Sequence, residues 1–257
     1  RVGGARYPLL YRIRGTTFKW VLYRLLLPAA SHVFVQSEQM RRDIAAEGIP
    51  IQKMTAVPMG ISERDIPKLL HAERQVIPKN EPAFLYLGTL ARVRRLDILV
   101  RVLFLVRKAL PDVKLYVVGR GEDPEDEQIL QREAERLDVS NALIMVGQLP
   151  RNVALQYVRE ADVCVSPFYP TPILNSTSPT KLVEYMAMGK AVVANDHPEQ
   201  QLMIRESGAG YCVSWDEHAF AEALVKLLKN PEQRACMGER GRRYVEENRS
   251  YRRIADL

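Results

Sequence analysis

Cysteine is scarce in this chain of 257 residues: only Cys164, Cys212 and Cys236 are present. Their number is odd and their wide spacing matches no metal or redox pattern, so a reducing, cytoplasmic compartment is expected. Four scattered histidines offer no zinc site. No apolar run is long enough to span a bilayer; the nearest, from Leu96 to Leu110, is broken by Arg101 and Arg107 in helical register. A signal-peptide pattern, an internal repeat and a low-complexity segment are all missing. The chain opens at Arg1 without an initiator Met, so a piece of a longer protein is expected.

What is present is an ordinary globular composition, 47% hydrophobic and 26% charged, with length for one large or two modest cores. The net charge of +6 is uneven. Arg1, Arg6, Arg12, Arg14, Lys19 and Arg24 fall in residues 1–37, where there is no acid, and account for the whole excess. Phe18, Trp20, Tyr23 and Leu25 to Leu27 interleave with these charges, the pattern of a peripheral membrane contact through residues 1–27. Packing of a basic amphipathic helix against another part of the protein explains the same pattern and is the commoner case. No recognition motif accompanies the charge, so nucleic acid is not an expected partner.

Turn and capping signals divide the chain. Residues 17–30 read as a helix ending near Pro28, Val33–Val35 as a buried strand, and Ser37 as the N-cap of a helix closed by Gly48. Lys53–Val57 reads as a strand, and the Pro-rich, charged segment 63–82 as a linker. From Ala83 strands alternate with helices, the pattern of a parallel, doubly wound α/β sheet. The predicted strands are Phe84–Leu87, Val113–Val118, Ala142–Val146, Val163–Ser166, Ala191–Ala194 and Gly210–Val213. Helices are predicted near 95–110, 125–138, 151–160, 179–188 and 216–229, with residues 231–257 continuing as charged helix.

Residues 176–190, Ser-Thr-Ser-Pro-Thr-Lys-Leu-Val-Glu-Tyr-Met-Ala-Met-Gly-Lys, are the most informative stretch. Ser178 suits an N-cap, Pro179 the first helical position and Gly189 the helix end. The helix would start past the carboxyl end of a strand, where parallel α/β sheets bind ligands. Its free amides, the positive end of its dipole and Lys181 make a phosphate site. Glu184, three residues on, is placed to accept hydrogen bonds from hydroxyls. The plain alternative is a solvated Lys181–Glu184 ion pair worth a few tenths of a kcal/mol.

Other segments extend the pattern: Tyr86-Leu-Gly-Thr-Leu90 with Arg94 and Asp97, Leu115-Tyr-Val-Val-Gly119, Val146-Gly147, Ala161-Asp-Val163 and Ala191-Val-Val-Ala-Asn-Asp196. In this order, the stretch from Phe84 to Leu257 resembles the C-terminal domain of a GT-B glycosyltransferase of retaining family 4. Gln36-Ser-Glu38 resembles the end of that family's N-terminal domain. The resemblance implies a remnant of a Rossmann-like, acceptor-side domain over 1–62, a linker at 63–82, a nucleotide-sugar-binding domain over 83–235 and a crossing helix over 236–257.

It also implies the chemistry: transfer of a sugar, with retention, from a UDP- or GDP-linked donor to a carbohydrate or lipid-linked acceptor in bacterial polysaccharide or glycoconjugate synthesis. No metal or other cofactor is implied, so the leaving diphosphate would be met by the amides of Thr180 and Lys181 and by Lys181 and Arg94. Lys181 and Arg94 are the implied catalytic pair. Gly88, Arg92, Leu149, Ser178, Thr180 and Glu184 complete the implied donor site, with Gly88 allowing close approach to phosphates, Leu149 touching the base through its backbone and Glu184 holding the ribose. Two positions depart from the family pattern. Thr89 stands in place of an arginine, with Arg92 as the candidate substitute. Ser176 stands where a glutamate would contact the donor sugar. Glu122 to Glu127 reads as an acidic helix start rather than a metal site, and His197 as a structural residue. This stretch alone is expected to bind nucleotide without turnover. A non-catalytic nucleotide-binding domain and a GT-B nucleotide-sugar epimerase are the alternatives.

Overall fold

The structure, a computed structural model, describes residues 9–62 and 75–256. Residues 1–8 of the basic segment and 63–74 of the expected linker lie outside the described residues. Among the described residues no helix is long and apolar enough to cross a membrane.

The first unit is small. Helix α1 (Leu9–Val21) runs on through a π-helical turn (Leu22–Leu26) and a last turn (Leu27–Ala29). Strands β1 (Val33–Val35) and β2 (Met54–Ala56) pair in parallel, with α2 (Glu38–Ala46) as the crossover. Ser37 Oγ accepts from the Met40 amide at 3.0 Å, capping α2 as its sequence suggests. Val35, Ile49 and Met54 form the core here, and Tyr23, Leu27 and Met40 pack against it. Phe18, Trp20, Leu25, Leu26 and Phe34 are exposed.

The larger unit is a six-stranded sheet in the order β5-β4-β3-β6-β7-β8, every pair parallel. Its strands are β3 (Ala83–Leu87), β4 (Lys114–Val118), β5 (Leu143–Gly147), β6 (Val163–Ser166), β7 (Val192–Asn195) and β8 (Gly210–Val213). All six lie within a residue of their predicted bounds, because each is an apolar run flanked by turn residues. Alternation along β3 sends Phe84 and Tyr86 into one core and Ala83 and Leu85 into the other. The first core lies under α3 (Asp97–Arg107), α4 (Pro124–Arg136) and α9 (Glu217–Leu228). There Arg101 of α3 holds Asp97 at 2.9 Å, Glu133 of α4 at 3.2 Å and Glu217 of α9 at 2.6 Å. The second core lies under α5 (Arg151–Glu160), α7 (Thr180–Ala187), α8 (Pro198–Ser207) and α10 (Pro231–Asn248). A short helix, α6 (Pro172–Asn175), precedes α7. Cys164 is wholly buried in β6, as expected of a core thiol.

The predicted charged helix over 231–257 is not continuous. It passes unbroken through the expected domain boundary at 235–236, stops at Asn248, and resumes as α11 (Tyr251–Ala255). At the break the backbone is used elsewhere: the Ile61 amide donates to the Arg249 carbonyl at 2.9 Å, and the Tyr251 amide to the Ile61 carbonyl at 3.0 Å. The C-terminal segment thereby returns to the end of the first unit. The strand order changes direction between β3 and β6, which opens a crevice at their carboxyl ends.

Candidate functional site

Two glycines shape the floor of that crevice. Gly88 follows β3 with φ +150° and Gly119 follows β4 with φ +143°, backbone that L side chains rarely adopt. A β-carbon on Gly119 would lie 2.0 Å from the Gly88 carbonyl oxygen. One on Gly88 would lie 1.8 Å from Lys181 Cε. The group that lies against Gly88 is Lys181, a protein side chain, where the family resemblance implies a phosphate.

Phe168, just past β6, forms the opposite wall. Asn195 at the end of β7 clamps its backbone, accepting from the Phe168 amide at 2.7 Å and donating to its carbonyl at 2.9 Å. Lys181 Nζ lies 5.5 Å from the Tyr86 ring centre and 6.0 Å from that of Phe168. Arg94 sits 5.9 Å from the same Phe168 ring. These distances suit cation–π attraction. Among the described residues, neither Lys181 nor Arg94 makes a side-chain hydrogen bond or an ion pair. Burial pushes the Lys181 ammonium down to about 7, Arg94 pushes the same way, and Glu184 opposes them weakly. An ammonium and a guanidinium thus stand close enough to repel each other, and among the described residues no carboxylate pairs with either.

The start of α7 adds backbone donors, by a route the sequence does not suggest. Ser178 is not the cap: the helix begins at Thr180, Pro179 takes the N-cap position, and among the described residues no side chain caps it. Ser178 Oγ instead accepts from the Met59 amide at 2.9 Å, tying the helix entry to the first unit. The Thr180 amide, expected to face the diphosphate, is instead taken by the Ser178 carbonyl at 3.0 Å, while among the described residues no backbone acceptor takes the amides of Lys181 or Leu182. An uncapped helix start beside two cations is a strongly anion-attracting arrangement.

The remaining expected residues fall at various distances from this centre. Glu184 does not pair with Lys181; Arg151 of α5 holds it at 3.0 Å. Leu149 is half-buried in the loop after β5, which the Gly119 amide anchors through the Gly147 carbonyl at 2.9 Å. Arg92 is exposed and its guanidinium turns to Glu125 at 3.8 Å, so the structure does not bring it to the Lys181–Arg94 pair. Arg95 adopts a left-handed conformation, pairs with Asp97 at 3.3 Å and lies over the Tyr169 ring. Asp126 takes the amides of Arg92, Glu122 and Asp123, which makes the acidic run a helix-start brace. Among the described residues no three His, Cys, Asp or Glu side chains gather to hold a metal. His197 is fully buried, with Nε2 2.9 Å from the Leu174 carbonyl, and burial lowers its pKa. It caps α8 through the Gln200 amide, a structural role.

The sequence does not single out Phe168, Arg151 or Asp43, since no local motif marks them, and gives Asn195 only as part of Ala191-Val-Val-Ala-Asn-Asp196; tertiary contacts bring Arg151 to Glu184 and Asp43 to Ser176. A cavity of about 960 Å³ opens beside it, between Leu90–Asp97, α4 and Tyr169–Leu174, and neither Lys181 nor Glu184 lines it.

The fold and this crevice define a Rossmann-like domain of the GT-B type. The family described as glycosyl transferases group 1 matches residues 67–244, and the chain belongs to it. Over 161 residues it is 32% identical to a phosphatidyl-myo-inositol mannosyltransferase of Mycolicibacterium smegmatis, covering 62% of this chain and 39% of that enzyme. The chain thus spans about two fifths of that relative's length. Two of the solved structures that share the fold illustrate it. Sucrose-phosphate synthase of Thermosynechococcus elongatus superposes with TM-score 0.74 at 24% identity, covering 93% of this chain and 59% of that one. HepE of Anabaena, in complex with UDP and glucose, gives 0.75 at 16% identity, covering 100% and 67%.

Proposed function

We propose that this chain is the donor-binding part of a glycosyltransferase that takes a UDP- or GDP-linked sugar and passes the sugar, with retention, to a carbohydrate or lipid-linked acceptor. The observation that carries the reading is the Lys181–Arg94 couple at the start of α7, which among the described residues has neither an ion-pair partner nor a side-chain cap. A nucleoside diphosphate brings the anion these groups lack. As the bond from sugar to diphosphate breaks, negative charge grows on the β-phosphate, and fixed cations and amides aimed there lower the barrier. No metal is needed for that task. Glu184, steadied by Arg151, accepts from the ribose hydroxyls, and the backbone near Leu149 meets the base. The mannosyltransferase name of one relative and the UDP and glucose held by HepE support the substrate class.

The test is turnover by the full-length protein with UDP-glucose or GDP-mannose in EDTA. The reading expects nucleotide release that falls by about a hundredfold in Lys181→Met, in the range of removing one charge-stabilising donor. Binding without any release would favour a non-catalytic nucleotide-binding domain, the reading that Thr89 and Ser176 support.

A further inference from the structure

Ser176, which stands where the family pattern has an acid, is not alone. Its hydroxyl donates to the Asp43 carboxylate, from α2 of the first unit. Gln39 Nε2 donates to the other Asp43 oxygen at 2.8 Å. The same stretch is tied to the first unit twice more, by Ser37 Oγ on the Ser176 carbonyl at 2.6 Å and by the Met59 amide on Ser178 Oγ at 2.9 Å. A carboxylate is thus delivered across the two units to the position that lacks one in sequence.

We propose that Asp43, oriented by Ser176 and Gln39, is the residue that binds the hydroxyls of the donor sugar. The assignment rests on the donor-site reading above and deepens it. In that reading Glu184 holds the ribose and Lys181 the diphosphate, so the ligand runs toward the N-terminus of α7. The next group along it, the sugar, reaches the 176–178 segment, where Asp43 lies. A carboxylate offers about four acceptor positions, and Ser176 and Gln39 use two. Asp43 is exposed, which leaves its other acceptor positions open to a ligand's hydroxyls. Because Asp43 and Ser176 sit on different units, the sugar contact exists only while the two units are together.

The test is calorimetric titration of the full-length protein and its Asp43→Ala variant with a free nucleotide (UDP or GDP) and the matching nucleotide sugar (UDP-glucose or GDP-mannose). Asp43→Ala is expected to weaken the nucleotide sugar about tenfold, as loss of a charge-assisted hydrogen bond implies, and the free nucleotide less than about twofold. Adding Ser176→Glu to Asp43→Ala is expected to restore most of the loss. Equal weakening of both ligands would reduce Asp43 to a structural brace, and weakening of neither would remove it from the site; both overturn the assignment. Failure of the unaltered protein to bind either nucleotide would overturn the donor-site reading, and this assignment with it.

Discussion

Lys181 lies across Gly88 so closely that a single added methyl would meet it at 1.8 Å. The glycine is therefore part of the cation's seat, and its φ of +150° adds a second reason why no side chain fits. Gly88→Ala should displace Lys181 from between Tyr86 and Phe168 and strain the loop by about 1–3 kcal/mol. The expected result is nucleotide affinity lowered by at least about tenfold, measured by calorimetry, in a protein whose circular dichroism is unchanged.

Lys181 also predicts a pH signature. With its pKa lowered to about 7, the folded, ligand-free protein holds fewer protons than the unfolded chain between about pH 7 and the ordinary lysine value. That component of stability therefore rises with pH through this window and is flat below it. A bound diphosphate favours the ammonium and reverses the preference. Donor affinity is expected to fall as pH rises above about 7, with proton uptake on binding. Lys181→Met should abolish both effects, as titrations in buffers of different ionisation enthalpy would show.

Arg92 and Arg94 separate by geometry despite their proximity in sequence. Arg94 lies about as near the Phe168 ring as Lys181 does, whereas Arg92 pairs with Glu125 at the surface. Arg94→Ala should weaken UDP or GDP by about tenfold. Arg92→Ala should change affinity by less than about twofold, as expected for a surface ion pair. A larger loss at Arg92 would return it to the diphosphate.

A buried pair within the larger unit, Glu199 of α8 with Arg249 at 2.7 Å, both less than a tenth exposed, sits where the Arg249 carbonyl takes the Ile61 amide. Burial raises the Glu199 pKa while Arg249 opposes it. Arg249→Met leaves that carboxylate without its cation and should cost about 3–5 kcal/mol in denaturant unfolding. In the variant the folded state holds a proton on Glu199 that the unfolded state releases, so the cost should shrink as pH falls from 7 toward 5.

Much of this was legible in sequence, for definite reasons. The six strands are apolar runs closed by turn residues, and Ser37 and Gly48 bound α2 by ordinary capping chemistry. Lys181, Glu184 and Gly88 stood in contiguous motifs. Ser178 was misread because its hydroxyl has a tertiary partner, the Met59 amide, that outcompetes the local cap. Glu184 pairs with Arg151 rather than Lys181 because burial between two rings turns the lysine toward the crevice. Asp43 is 133 residues from Ser176, a separation at which no spacing rule operates.

The most direct measurement is calorimetric titration of this chain with UDP and with GDP in EDTA, beside Lys181→Met and Glu184→Ala. The account predicts metal-independent binding of one nucleotide, weakened by both substitutions, with the preferred base named by the comparison. Binding that demanded a divalent metal, or that survived both substitutions unchanged, would contradict a donor site built on the start of α7.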